Sequence, residues 1–191
     1  MIPTGLETEV KIRIADPAQI LPKLPSAGFE PSSPRQFESN TLYDTPSHAL
    51  RESGVLLRLR QFGSTAVITW KGQGEPGPYK SRPELETSIG SIEVMEKILN
   101  RLGYEAIFRY EKFRSEFRER QQEGPSGGVL TIDETPIGNF LELEGQGDWI
   151  DRNAAQLGFS AQDYILQSYG LLYLEDCGRR GVQPTHMTFA S

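Results

Sequence analysis

The chain has 191 residues, enough for one domain with a substantial core, and its 37% hydrophobic and 24% charged residues are ordinary for a soluble globular protein. A formal net charge of −6 argues against non-specific nucleic-acid or membrane-surface attachment, and the single cysteine, Cys177, excludes an intramolecular disulfide and a cysteine-rich zinc site. No apolar run approaches the ~20 residues of a membrane helix, and Glu7, Glu9 and Lys11 interrupt any signal-peptide core, so a cytoplasmic protein without nucleic-acid or membrane partners is expected.

In chain order, Thr8 to Ile14 (TEVKIRI) puts charge on every second residue and apolar or Thr side chains between, the period of a strand with one polar and one apolar face. Asp16 and Pro17 then supply the cap and first turn of a predicted helix carrying Ile20, Leu21 and Leu24, stopped by Gly28. Strands are predicted at Leu56–Arg60 and Val67–Lys71, and the Gly/Pro-rich stretch Gly72–Pro83 reads as a mobile loop before a strand at Glu84–Thr87. Ser91 caps a helix over Ile92–Leu102, with Ile92, Met95, Leu99 and Leu102 on one stripe and Gly103 as its stop. A strand at Lys112–Arg118, a second loop over Gln121–Gly128 and a strand at Phe140–Glu144 follow. Asp148 opens a helix to Leu157, closed by Gly158; Ser160 with Asp163 opens a last one to about Leu174. A domain over 1–178 and a poorly ordered tail over 179–191 are expected.

The two halves echo each other. Glu7-Thr8-Glu9, a helix and Ala27-Gly28-Phe29 match Glu84-Leu85-Glu86, a helix and Leu102-Gly103-Tyr104. Two half-barrels closing on each other would leave no free sheet edge. The apolar strand faces need cover, and the helices have stripes to provide it; the charged faces must then point inward. Those faces carry two sets. Arg58, Arg60 and Lys71 cluster in the first half with no acid on the same faces, while Asp133, Glu142 and Glu144 cluster in the second. Carboxylates suit hard divalent cations, and Arg and Lys suit a polyanion. Together they are the requirements of phosphoryl-transfer chemistry.

Glu7-Thr8-Glu9-Val10-Lys11 resembles the E-x-E-x-K opening strand of the CYTH superfamily, the triphosphate tunnel metalloenzymes. Leu42-Tyr43-Asp44-Thr45, Leu56 to Arg60, Thr69 to Gly72 and Arg82 to Glu86 resemble its next blocks in family order. Tyr110 to Arg114, Ile132 to Gly138 and Phe140 to Glu144 complete the set, so the likeness spans roughly 5–175. It implies an α+β fold: a single eight-stranded antiparallel β-barrel, a tunnel with helices packed outside. It implies that Glu7, Glu9, Asp133, Glu142 and Glu144 hold Mg²⁺ or Mn²⁺. Lys11, Arg58, Arg60, Lys71, Lys112 and Arg114 would grip a small-molecule triphosphate, and Glu7, Glu9, Lys11 and Lys71 would act directly in catalysis. Arg13, Glu84 and Glu86 are secondary lumen residues.

The reaction implied is hydrolysis of a phosphoanhydride in tripolyphosphate, thiamine triphosphate or a nucleoside triphosphate. The alternatives are a class IV adenylyl cyclase, which makes cyclic AMP and pyrophosphate from ATP, and a non-catalytic polyphosphate-binding module. Pro3-Thr4-Gly5-Leu6 stands where some cyclase members carry a His-Phe pair, whereas the Asp133 to Gly138 and Tyr110 to Arg114 runs look like the cyclase branch. A homodimer is the default expectation for such an enzyme.

Overall fold

The alternating segments close into a barrel. The computed structural model describes residues 5–120 and 127–189. Its strands are β1 Gly5–Ile14, β2 Phe29–Asp44, β3 Leu56–Phe62, β4 Thr65–Lys71, β5 Lys80–Ile89, β6 Glu105–Glu119, β7 Val129–Thr135 and β8 Gly138–Glu144. They form one closed antiparallel barrel in the order β1-β5-β4-β3-β2-β6-β7-β8. The α-helices are α1 Ala49–Glu52, α2 Ile92–Arg101, α3 Gly147–Leu157 and α4 Tyr169–Arg180.

The echo between the halves is built into the strand order. In each half the first strand leaves its own three-strand meander and joins the other: β1 lies beside β8, and β5 beside β4. The two first strands also pair with each other, as do β2 and β6. Shifting by the repeat carries Glu7 onto Glu84 and Arg82 onto Gly5, and both Glu7–Arg82 and Gly5–Glu84 are partners in the register. The halves are thus related by a pseudo-two-fold, and closure leaves no edge strand among the described residues.

The apolar faces point outward and are covered. Val10, Ile12, Leu130, Ile132, Leu141 and Leu143 pack under Trp149, Ile150, Ala154 and Leu157 of α3, with Ile20, Leu24 and Phe29 beside them. Burying each such side chain contributes about 1.5–3 kcal/mol, which is what holds α3 to the wall. On the other side Leu99 of α2 packs against Tyr43 and Leu59. Ser91 caps α2, accepting from the Val94 amide, and Gly103, in the left-handed region, ends it as predicted.

Several expectations are corrected. Residues 17–28 form two 3₁₀ turns, Pro17–Gln19 and Leu21–Lys23, not a helix, because Pro22 and Pro25 remove donors and disfavour α conformation before them. The strand expected from Glu84 begins at Lys80, taking residues from the predicted loop. The Ser160–Asp163 capping box forms but closes only one 3₁₀ turn. Ile165 then exchanges both backbone hydrogen bonds with Lys11, where β1 runs past its partner β5, and α4 starts only at its own cap, Ser168. The segment expected as a tail begins inside α4, and its later part lies along β6: buried Met187 donates to Arg109 O at 2.9 Å and accepts from Glu111 N at 2.9 Å. Most of the loop expected over 121–128 lies outside the described residues.

Candidate active site

Strand parity fixes what points inward. Glu7, Glu9 and Lys11 alternate with Val10 and Ile12, which are buried under α3, so the charges face the lumen. The same rule turns Arg58 and Arg60, Lys71, Glu84 and Glu86, Lys112 and Arg114, and Glu142 and Glu144 inward. The result is a cavity of about 410 Å³ with lining residues from all eight strands. That volume suits a small molecule. Nine basic side chains and seven acidic ones line it. In a protein with 20 Lys and Arg against 26 Asp and Glu, the basic residues are therefore concentrated at this one place.

The expected separation of bases from acids is corrected by the register. Lys71 stands opposite Glu84, with β1 one strand further, so its ammonium reaches Glu84 at 2.9 Å and Glu7 at 2.6 Å. Arg60 donates to Glu86 at 2.8 Å, and Arg58 lies 3.6 Å from the same carboxylate. Lys11 reaches Glu9 at 3.0 Å and Glu142 at 3.2 Å. Buried ions are tolerable only when paired, and here nearly every carboxylate has a cation.

Asp133 is fully buried. Its oxygens accept twice from Arg114, at 2.7 and 2.6 Å, once from Lys112 at 2.9 Å and once from the Tyr169 hydroxyl at 2.7 Å. Three of these donors converge on Oδ2 and one, from Arg114, reaches Oδ1. Burial pushes its pKa up, but Arg114 and Lys112 outweigh that and hold it at about 2. Glu142 is likewise engaged, with Lys11 and with Arg114.

Glu144 differs. Among the described residues no cation pairs with it. Its residue remains open to solvent at the mouth, yet its carboxyl group is packed among protein atoms beside Glu7 and Glu9. That packing first, and then those like charges, raise its pKa to about 7.

Arg13 is corrected outright. It shares a face with Lys11 but lies one step deeper, where Phe140 fills the interior; its guanidinium stacks on the Phe140 ring at 4.6 Å and donates to Ile137 O, and the residue is exposed. Gly138 makes room there: with φ +121, a Cβ would sit 2.8 Å from the Arg13 guanidinium. Parity gives the face and not the depth.

The lumen also holds residues outside the predicted set, Lys80, Arg82, Glu38 and Tyr169 among them. Lys80 donates to Glu9 at 2.6 Å and Arg82 to Glu7 at 3.4 Å. Both continue the alternation of Glu84 and Glu86, a signal masked by the Gly/Pro composition around it. Burial pushes Lys80 down to about 8 even beside Glu9. Glu38 is buried behind Lys112, at 3.4 Å, and Arg60. Tyr169 comes from α4, where no strand pattern marks it.

Two tests bear on ligands. The Nε atoms of Arg58 and Arg60 are buried without an acceptor among the described residues, a deficit that an anion would fill. For a divalent cation, no three acid, imidazole or thiolate groups among the described residues come together as a ready-made site. Glu7, Glu9 and Glu144 nevertheless supply neighbouring carboxylate oxygens, the donors that a hard cation takes, and among the described residues Glu144 has no cation of its own. Asp133 here serves Lys112 and Arg114 as their buried counter-ion.

The family model of the CYTH domain matches residues 5–169. The chain belongs to the CYTH family. A Methanocaldococcus jannaschii protein, provisionally named as an adenylate cyclase, is 27% identical over 140 residues, covering 73% of this chain and 76% of its own. Among solved structures, a Vibrio parahaemolyticus protein with the same provisional name has a TM-score of 0.73 at 24% identity, covering 88% of this chain and 97% of its own. A Hippeastrum protein, described as a provisional adenylyl cyclase with dominant triphosphatase activity, has a TM-score of 0.61 at 18% identity, covering 93% and 97%. At these identities the solved structures bear on the barrel alone. The CYTH match ends at Tyr169, so the rest of α4 and the segment along β6 lie beyond it.

Proposed function

We propose that this CYTH protein is a divalent-metal-dependent hydrolase that cleaves a phosphoanhydride bond in a small triphosphate-bearing substrate: tripolyphosphate, thiamine triphosphate or a nucleoside triphosphate. The observation that carries this reading is the convergence of nine bases and seven acids on one lumen, with two arginine Nε atoms left without acceptors among the described residues.

In the resting lumen the bases are balanced by carboxylates. A triphosphate exchanges with those carboxylates on Lys11, Arg58, Arg60, Lys71, Lys112 and Arg114, so that no buried cation is stranded at any stage. Glu7 and Glu9, released from Lys71 and Lys11, would with Glu144 hold Mg²⁺ or Mn²⁺. When bound, such an ion supplies Lewis-acid neutralisation of phosphate oxygens. Water attacks phosphorus, the bond to the bridging oxygen breaks, and orthophosphate and the shortened chain leave. Arg114, fixed by Asp133, and Arg58 and Arg60, fixed by Glu86 and Glu38, present preorganised donors to the charge that builds on the transferred group.

The cyclase reading rests on a specific observation, the names of the Methanocaldococcus and Vibrio proteins. The same residues would then grip ATP while its 3′-hydroxyl attacks the α-phosphorus. What is said of the Hippeastrum protein, a cyclase by name with dominant triphosphatase activity, favours hydrolysis as the first choice. Incubation with tripolyphosphate, thiamine triphosphate and ATP, with Mg²⁺ or Mn²⁺, separates the readings. Orthophosphate release supports the hydrolase. Cyclic AMP with pyrophosphate supports the cyclase. Tight binding without turnover leaves only a binding module.

A further inference from the structure

The lumen changes character at one end. Leu42, Phe108, Phe140 and the ring of Tyr110 share the inward faces of Glu38, Lys112 and Glu142, yet they join one apolar cluster with Leu172 and Tyr173 of α4. Buried Met187, from the segment along β6, packs into the same cluster. At the opposite end Leu6 is 60% exposed and Glu144 is open to solvent, so that end is the mouth.

The cavity side of that cluster is polar. Ser168, Tyr169 and Gly170, the N-terminal turn of the 12-residue α4, line the cavity. The ammonium groups of Lys11 and Lys112 lie 5.3 and 5.4 Å from the centre of the Tyr169 ring. A second observation points to a ligand at this spot. Arg58, only 9% exposed, lines the same cavity and reaches this end by donating to the Tyr110 hydroxyl at 3.2 Å, while its Nε has no acceptor among the described residues. The Tyr110 ring in turn packs on Tyr169 at 6.2 Å.

We propose that the first turn of α4 is the end wall of a blind lumen and receives the terminal phosphoryl group of a linear phosphate chain, so that the protein takes chain ends and cannot thread the interior of a long polyphosphate. This rests on the triphosphate reading and narrows its substrate class. The helix N-terminus offers backbone N–H groups and a positive dipole end to the terminal phosphate, with Arg58 beside it.

Two experiments test the wall. Gly170 has room for a Cβ, which would meet only Phe108 and Ser168, each at 3.8 Å, so Gly170→Glu starts without a backbone clash. A glutamate in the first turn also suits the helix dipole, which keeps the fold. Calorimetric titration of tripolyphosphate into Gly170→Glu is expected to show binding at least about tenfold weaker. Gly178→Glu, on an exposed face of the same helix, should bind as wild type. In the second experiment a long-chain polyphosphate of defined length is titrated with wild-type protein, and saturation is expected at one protein per chain end. Saturation that grows with chain length, or tripolyphosphate binding untouched by Gly170→Glu, overturns the blind end while leaving the triphosphate reading intact. Failure of wild type to bind tripolyphosphate at all overturns both.

Discussion

Replacing Asp133 by Asn tests whether this residue is a counter-ion or a metal ligand. The change is nearly isosteric and removes one fully buried negative charge that holds Lys112 and Arg114. Breaking a buried ion pair from one side costs about 3–5 kcal/mol. Lys112 keeps Glu38 at 3.4 Å and Arg114 keeps Glu142, which places the expected loss near the lower figure. The pKa gives the same size: a carboxylate lowered from 3.8 to about 2 contributes roughly 2–3 kcal/mol. The folded-state pKa is depressed, so this contribution is present above the unfolded value and lost as pH falls from near 4 towards 2. Urea unfolding at pH 7 should therefore show Asp133→Asn about 3 kcal/mol less stable, with the gap closing as the pH falls below 4. Tripolyphosphate should restore part of the loss, because its oxygens take up the stranded cations. Unchanged stability together with Mn²⁺ affinity reduced tenfold or more would refute the counter-ion role and return Asp133 to the metal.

Glu144→Gln should show the opposite pH dependence. Wild-type Glu144 has a folded pKa raised to about 7, so the stability tied to its proton is present below the unfolded value and lost as pH rises through about 7. Without metal, melting curves should match at pH 4, and the variant should melt higher at pH 8; a lower melting point at pH 8 contradicts the crowding of Glu7, Glu9 and Glu144. Arg58→Ala removes a charge-assisted donor worth about 1.5–3 kcal/mol, so tripolyphosphate should bind roughly 10–100-fold more weakly while orthophosphate is much less affected. Equal losses for both would argue against a grip on the whole chain.

Much of the barrel was legible because alternation is a local property. Each predicted strand, Thr8 to Ile14 and Phe140 to Glu144 among them, lies in a strand of the barrel, and the repeat of Glu7-Thr8-Glu9 in Glu84-Leu85-Glu86 anticipated the pseudo-two-fold. Illegible features depend on distant partners. Pairing of Lys71 with both Glu84 and Glu7 follows from β5 lying between β4 and β1, an arrangement that neither strand's own sequence contains. Lys80 and Arg82 were hidden because Gly72, Gly74, Gly77, Pro76, Pro78 and Pro83 surround them with loop composition. Ser160 and Asp163 carry a genuine capping signal, but pairing of Ile165 with Lys11 overrides it. Tyr169 entered the site only because α4 crosses the end of the barrel.

The most direct measurement is a structure determined with Mn²⁺ and a slowly hydrolysed triphosphate, using the anomalous signal of the metal. A manganese peak beside Glu7, Glu9 and Glu144, with phosphate oxygens on Arg58, Arg60 and Arg114, is the predicted result. Manganese or triphosphate bound on the outer wall, with the lumen ion pairs intact, would contradict it.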